Sequence, residues 1–107
     1  MSAVPLSVAE LQRRLDESAF IAFLGLTVVS ADPAAQEVVM RAAMRPEFER
    51  GRATGQWHGG PIAAIIDTVG DYALVMMLGR GLPTINFRVD YLRPAVGTGL
   101  VATAGRR

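Results

Sequence analysis

The chain has 107 residues, half of them apolar, with eleven Arg, ten acids, no Lys and a net charge of +1. That is one small domain with enough apolar material for a core, and it lacks the basic excess that a general nucleic-acid surface needs. With no cysteine and a single His, there is no disulfide frame, thiolate metal site or Cys nucleophile, and a His-based metal site is not expected.

The N-terminal stretch MSAVPLSVAEL has no basic start followed by an apolar run, so no signal peptide is read and a cytoplasmic protein is expected. Ser7-Val8-Ala9-Glu10 reads as a capping box, and Val8, Leu11 and Leu15 follow a helical stripe. A second short helical piece runs from Ser18 to Leu24, closed by Gly25. Leu26–Ala31 is β-rich, Asp32-Pro33 signals a turn, and Glu37–Met44 places Val38, Met40, Ala42 and Met44 on one face. Together these predict a β-hairpin. Arg45 to Gln56 is a polar loop long enough to suspect of function.

Trp57–Gly81 then forms the centre of the chain. His58-Gly59-Gly60 is a flexible lead-in, and Pro61 sits in the first turn of a helix, where proline is tolerated. From Ile62 to Leu78 the residues are apolar on nearly every side, which predicts a buried helix, and Gly79 and Gly81 end it. Two Asp residues interrupt it, and it reads as too short for a membrane span. Those acids, Asp67 and Asp71, share a face at i,i+4 spacing, and buried carboxylates are costly unless paired or used. Thr84–Leu92 alternates Ile85, Phe87, Val89 and Tyr91 with Asn86, Arg88 and Asp90, which predicts a strand with its apolar side in the sheet core. Pro94 stops it, and Leu100–Ala104 begins another strand. The order of elements predicts an α+β fold with an antiparallel sheet curled around one long helix, in a single domain spanning residues 1–107.

At HGGPIAAIIDT, followed by TINFRVDYLRPAVGTGLVATA, the sequence resembles the hotdog-fold acyl-CoA thioesterases, most closely the phenylacetate-degradation (PaaI-like) branch. The shared features are His58-Gly59-Gly60, an acid nine residues after the His (Asp67), and a strand ending Tyr91-Leu92-Arg93-Pro94. They extend from about Phe23 to Ala104. The resemblance implies a dimer or tetramer that hydrolyses an acyl- or aryl-CoA thioester. In it Gly59 offers a backbone N–H to the thioester carbonyl, Asp67 acts as general base or nucleophile, and His58 shapes the helix entrance. Gly60, Gln56, Arg52 and Arg93 would contact substrate, with Arg88 a further phosphate candidate. Arg52 stands where many members of the branch carry Asn, and Asp71 where some carry Ser or Thr. No metal or redox cofactor is implied, since coenzyme A is part of the substrate, and neither a nucleic-acid nor a membrane partner is expected. Family members continue for about two more strands after the one beginning at Leu100, so a sheet short of its last strands is expected.

Elementary chemistry agrees with these roles. A helix N-terminus holds unpaired N–H groups with positive dipole character, and such donors aimed at a developing oxyanion lower a barrier by roughly 3–4 kcal/mol. The carboxylate then activates water or attacks directly. Eight residues of helix separate Gly59 from Asp67 by roughly 12 Å, too far for one thioester carbon to meet both in one subunit. If both act, Gly59 of one subunit works with Asp67 of another. Two rival readings remain: a non-catalytic acyl-CoA-binding hotdog module, and a hydratase or dehydratase, against which the single His in His-Gly-Gly speaks.

Overall fold

The computed structural model describes residues 4–105, so the first three residues of the N-terminal stretch read above for a leader lie outside it. Helix α1 (Val8–Glu17) starts at Ser7, whose hydroxyl accepts from the Glu10 N–H while the Glu10 carboxylate reaches back to the Ser7 N–H. The box satisfies two donors that the helix cannot pair internally. Helix α2 (Ala19–Leu24) follows at once, capped by Ser18 and ended by Gly25 in the left-handed region at φ 66°. Leu11, Leu15 and Leu24 point inward and are essentially buried, each burial contributing on the order of 2 kcal/mol. Gln12 then ties α1 to the sheet: its amide donates to the Leu26 carbonyl at 2.9 Å and its Oε1 accepts from the Val28 N–H at 2.8 Å.

Strands β1 (Thr27–Asp32) and β2 (Glu37–Ala42) form the expected hairpin, and β3 (Leu100–Gly105) adds to the other edge of β2, giving the antiparallel order β1-β2-β3. Val38, Met40 and Ala42 face inward opposite Ala104, Ala102 and Leu100. On β1 the register shifts between Val28 and Ser30. That extra residue lets Val28 face Met40 and Ala31 face Val38, so both stay on the core side. A 3₁₀ turn at Pro46–Phe48 leads out of the sheet.

Helix α3 (Gly59–Leu78) runs for 20 residues across the inner face of β2 and β3 and stops at Gly79, in the left-handed region at φ 74°. By length and composition it is apolar enough to cross a membrane, so the reading that it is too short is corrected. One side of it, through Ile65, Val69, Tyr72, Ala73, Val75 and Met76, packs into the core. The expectation of burial all round is corrected too: Ile66, Leu74 and Leu78 are 41%, 47% and 44% exposed. A three-stranded sheet covers only one side of a helix, and the described residues leave these three side chains on the other side partly open.

The largest departure lies at Thr84–Leu92. This stretch is not a paired strand: none of its backbone groups bonds to another backbone group among the described residues. The expected sheet-core residues are open, with Ile85 94% exposed and Tyr91 55%. An alternating pattern supplies one half of a ladder, and without a neighbouring strand the segment has nothing to bond to. It lies along α3 instead, held by side chains.

Candidate active site

The loop before α3 is built to hold one residue in place. The Glu49 carboxylate accepts from the Gly55 N–H at 2.7 Å and the Ala53 N–H at 3.3 Å, closing residues 49–55 on themselves. The Arg50 N–H donates to the Gln56 carbonyl, and the His58 N–H to the Phe48 carbonyl, both at 2.8 Å. Trp57 is buried, stacks on Phe48 at 5.4 Å between ring centroids, and donates from Nε1 to the Thr98 carbonyl at 2.9 Å. Gly55 and Gly97 adopt φ 66° and 62°, and the Gly97 N–H bonds the Gly55 carbonyl, so two turns meet back to back beneath the helix start. His58 therefore arrives at a fixed position, with extended φ −70° and ψ 146°, as the cap of α3.

The first turn of α3 presents three positions whose N–H groups have no partner inside the helix. Each has a different fate here. Gly60 donates to Nδ1 of His58 at 2.9 Å. Pro61 has no N–H. Gly59 keeps its N–H, which has no partner among the described residues. Capping by His58 and the proline at the third position thus isolate a single free donor at the positive end of a 20-residue helix. Because Nδ1 accepts, the ring proton of His58 resides on Nε2.

Gly59 borders a cavity of about 640 Å³ together with Gln56, Trp57, His58 and Ile62 on one side and Tyr91 to Ala95 on the other. Arg50 and Arg93 are among the residues that line it. Arg is suited to phosphate because its planar fork presents paired donors. The Tyr91 hydroxyl donates to the Gly59 carbonyl at 2.9 Å, and its ring lies 3.4 Å from where a Cβ on Gly59 would stand.

Of the residues assigned to the site from sequence, the structure gathers His58, Gly59, Gln56 and Arg93 around this cavity. Gly60 lies beside it with its N–H already committed to His58. Arg52 sits on the exposed outer turn of the loop, away from the lining, and Arg50 lines the wall where Arg52 had been assigned. Arg88 is engaged by Asp90 at 3.2 Å. Nothing in the spacing of the sequence distinguishes Arg50, which lines the cavity, from Arg52, which does not.

Asp67 lies elsewhere. It is half-buried, two turns along α3, on a second cavity of about 430 Å³ formed by α3 and residues 82–88. Both it and Gly59 belong to one unbroken helix, so their separation is roughly 12 Å and they border different cavities. No Arg pairs with Asp67 among the described residues. Its partner is Thr84, whose hydroxyl donates to Oδ1 at 2.5 Å, a contact that sequence spacing does not reveal. One turn on, burial raises the Asp71 carboxyl above its ordinary value; a Leu82 backbone N–H works against this and the neighbouring Asp67 adds to it. A carboxylate with one oxygen held and one open can take a proton or attack an electrophile. The isolated N–H can receive an oxyanion.

Comparison with known proteins places the chain in a family. Residues 54–104 match the model of the thioesterase superfamily. A protein of Halobacterium salinarum, provisionally named an esterase, is 33% identical over 103 residues, which cover 92% of this chain and 66% of that protein. The chain thus spans about two thirds of that relative's length. A crystal structure of a protein described as from the thioesterase superfamily superposes with a TM-score of 0.76 at 30% identity, covering 90% of this chain and 70% of the other. A second, from Ralstonia eutropha JMP134, gives a TM-score of 0.74 at 26% identity, covering 91% and 78%. It is described, provisionally, as a thioesterase and a phenylacetic acid degradation-related protein.

Proposed function

Since this chain belongs to the thioesterase superfamily and has its hotdog fold, we propose that it hydrolyses the thioester of an acyl- or aryl-coenzyme A. The single observation that carries this reading is the isolated Gly59 N–H at the capped start of α3, bordering a cavity lined by two arginines. The thioester carbonyl oxygen sits against that N–H. As the carbonyl carbon becomes tetrahedral, its oxygen gains negative charge, and a fixed donor at a helix N-terminus stabilises the charged form more than the neutral one. Asp67 supplies the other half of the reaction, either drawing a proton from the attacking water or adding to the carbonyl itself. In both cases the C–S bond breaks and the sulfur leaves as coenzyme A thiolate, which takes up the proton given by water; in the second, that water cleaves the aspartyl–acyl anhydride, so that the free acid and the Asp67 carboxylate are released.

The distance along α3 makes this a shared site. Gly59 of one copy works with Asp67 of a second, brought opposite by a two-fold axis, so a dimer has two such sites. The uncovered apolar side of α3 and the open segment Thr84–Leu92 supply a surface for that pairing, and two dimers can associate further into a tetramer. The polar wall of Gln56, Arg50 and Arg93 receives the coenzyme, whose phosphates match the guanidinium groups. No resident metal or redox group has a part in this chemistry, and the reaction suits a cytoplasmic setting.

The test is free-thiol release from a panel of acyl- and aryl-coenzyme A thioesters, run with Asp67→Asn beside the parent. Turnover that Asp67→Asn lowers by several orders of magnitude supports hydrolysis and identifies the acyl class. Binding of acyl-coenzyme A without turnover would replace the proposal with a non-catalytic binding module.

A further inference from the structure

Outside the loop that carries Gly59, the described residues place one side chain on each of the two reacting groups, and both come from the same segment. Thr84 donates its hydroxyl to Asp67 Oδ1 at 2.5 Å, and Tyr91 donates its hydroxyl to the Gly59 carbonyl at 2.9 Å. We infer that Thr84 and Tyr91 are positioning residues, Thr84 for the carboxylate of Asp67 and Tyr91 for the helix turn that holds the Gly59 N–H. The inference rests on the roles given above to Gly59 and Asp67.

The argument for Thr84 is one of rotational freedom. The terminal torsion of an aspartate is broad, so a free carboxylate on a helix turns through many orientations. A donor on one oxygen fixes its plane, and a short O–H···O⁻ bond is among the stronger hydrogen bonds. Oδ2 accepts from no side chain among the described residues, so the bond orients the group while leaving one oxygen open to the cavity. Among the described residues Thr84 makes no other hydrogen bond and the backbone around it joins no ladder, so a role in sheet pairing does not account for it.

For Tyr91 the argument is one of placement. A helix start frays because its first residues make few internal bonds. The Tyr91 hydroxyl bonds the carbonyl of the first helical residue while its ring closes against the Gly59 Cα. The turn is then clamped from both sides, by His58 through Gly60 and by Tyr91 through Gly59. Because Gly59 and Asp67 serve different sites in a dimer, one segment orients half of each.

The experiment compares steady-state hydrolysis by the parent full-length chain with Thr84→Val, Thr84→Ser and Tyr91→Phe, and with Thr84→Val placed in Asp67→Asn. Expected is a fall in kcat of roughly ten- to hundredfold for Thr84→Val, the scale of one lost charge-assisted hydrogen bond, and of roughly two- to tenfold for Tyr91→Phe, the scale of a neutral one. KM, melting temperature and oligomeric state should remain as in the parent. Thr84→Ser, which keeps the hydroxyl, should recover most of the rate. In the Asp67→Asn background Thr84→Val should cost nothing more, since it acts only through that carboxylate. Parent-like kcat in Thr84→Val and Tyr91→Phe, alongside an inactive Asp67→Asn, would overturn the positioning roles and leave the hydrolase reading intact. A parent that does not turn over any thioester, or an Asp67→Asn variant as active as the parent, would overturn both.

Discussion

In the proposed mechanism the chemistry at position 59 depends on one backbone hydrogen, and proline removes it without disturbing much else. Proline is favoured at the first helical position, and His58 already has the extended ψ of 146° that a residue before proline prefers. Gly59→Pro should therefore fold, keep its melting temperature within a few degrees and lose roughly a hundred- to a thousandfold in kcat, the usual effect of deleting one oxyanion donor. Gly60 already donates to His58 and residue 61 is proline, so no neighbouring N–H can substitute. Measured kcat near the parent value would show that the oxyanion is held elsewhere. Part of this was legible in advance. The run His58-Gly59-Gly60-Pro61 announces a helix start with a missing donor, but only the structure shows that the His58 ring turns back onto Gly60 and so singles out Gly59.

At the scale of elements, α3 and the segment beyond it carry a conflict that titration exposes. Asp67 and Asp71 stand one turn apart on the same side, where like charges repel. Burial is the first cause that lifts the Asp71 carboxyl, so the folded state holds that proton more tightly than the unfolded chain, whose ordinary value is 3.8. Where the folded state binds more protons, stability falls as pH rises. The contribution of Asp71 is thus least unfavourable below about pH 4 and worsens as pH climbs through its raised folded value. Asp71→Asn keeps an acceptor for the Leu82 N–H and removes the charge, so it should raise the melting temperature at pH 7 and gain little at pH 4. An equal gain at both, or a loss at pH 7, would contradict this. Local signals explain why α1, α2, the hairpin and α3 could be read from sequence: capping residues, terminal glycines and periodicity act within a few positions. Thr84–Leu92 could not be placed that way. Its alternation is genuine, but a strand forms only when another lies beside it, and that is a property of residues far along the chain or in another molecule. The β1 bulge and the Thr84 contact to Asp67, 17 residues apart, are non-local in the same sense.

The whole molecule presents an open apolar surface along α3 and its neighbouring segment, with Ile66, Leu74, Leu78, Ile85 and Leu92 all substantially exposed. Contiguous apolar surface of this kind marks a place where another surface belongs. The two groups proposed to react, fixed roughly 12 Å apart on one helix, would impose the same need from the side of chemistry. The proposed dimer, a symmetric pair of antiparallel α3 helices, would answer both: it would cover the apolar face and bring Gly59 of each copy to Asp67 of the other. Composition and the helix pattern disclosed that α3 is too apolar to be left uncovered. The single-chain structure shows which of its sides the sheet leaves open.

The most direct test of that shared site is complementation between two inactive variants. Gly59→Pro and Asp67→Asn are co-expressed with different tags, the mixed dimer is isolated through both tags in turn, and thiol release is measured. A mixed dimer has one site built from an intact Gly59 and an intact Asp67 and one site with neither. The account predicts activity of about half the parent value per dimer, from partners that are each inactive alone. A mixed dimer as inactive as its parents would show that Gly59 and Asp67 do not meet across the two-fold axis and would contradict the account.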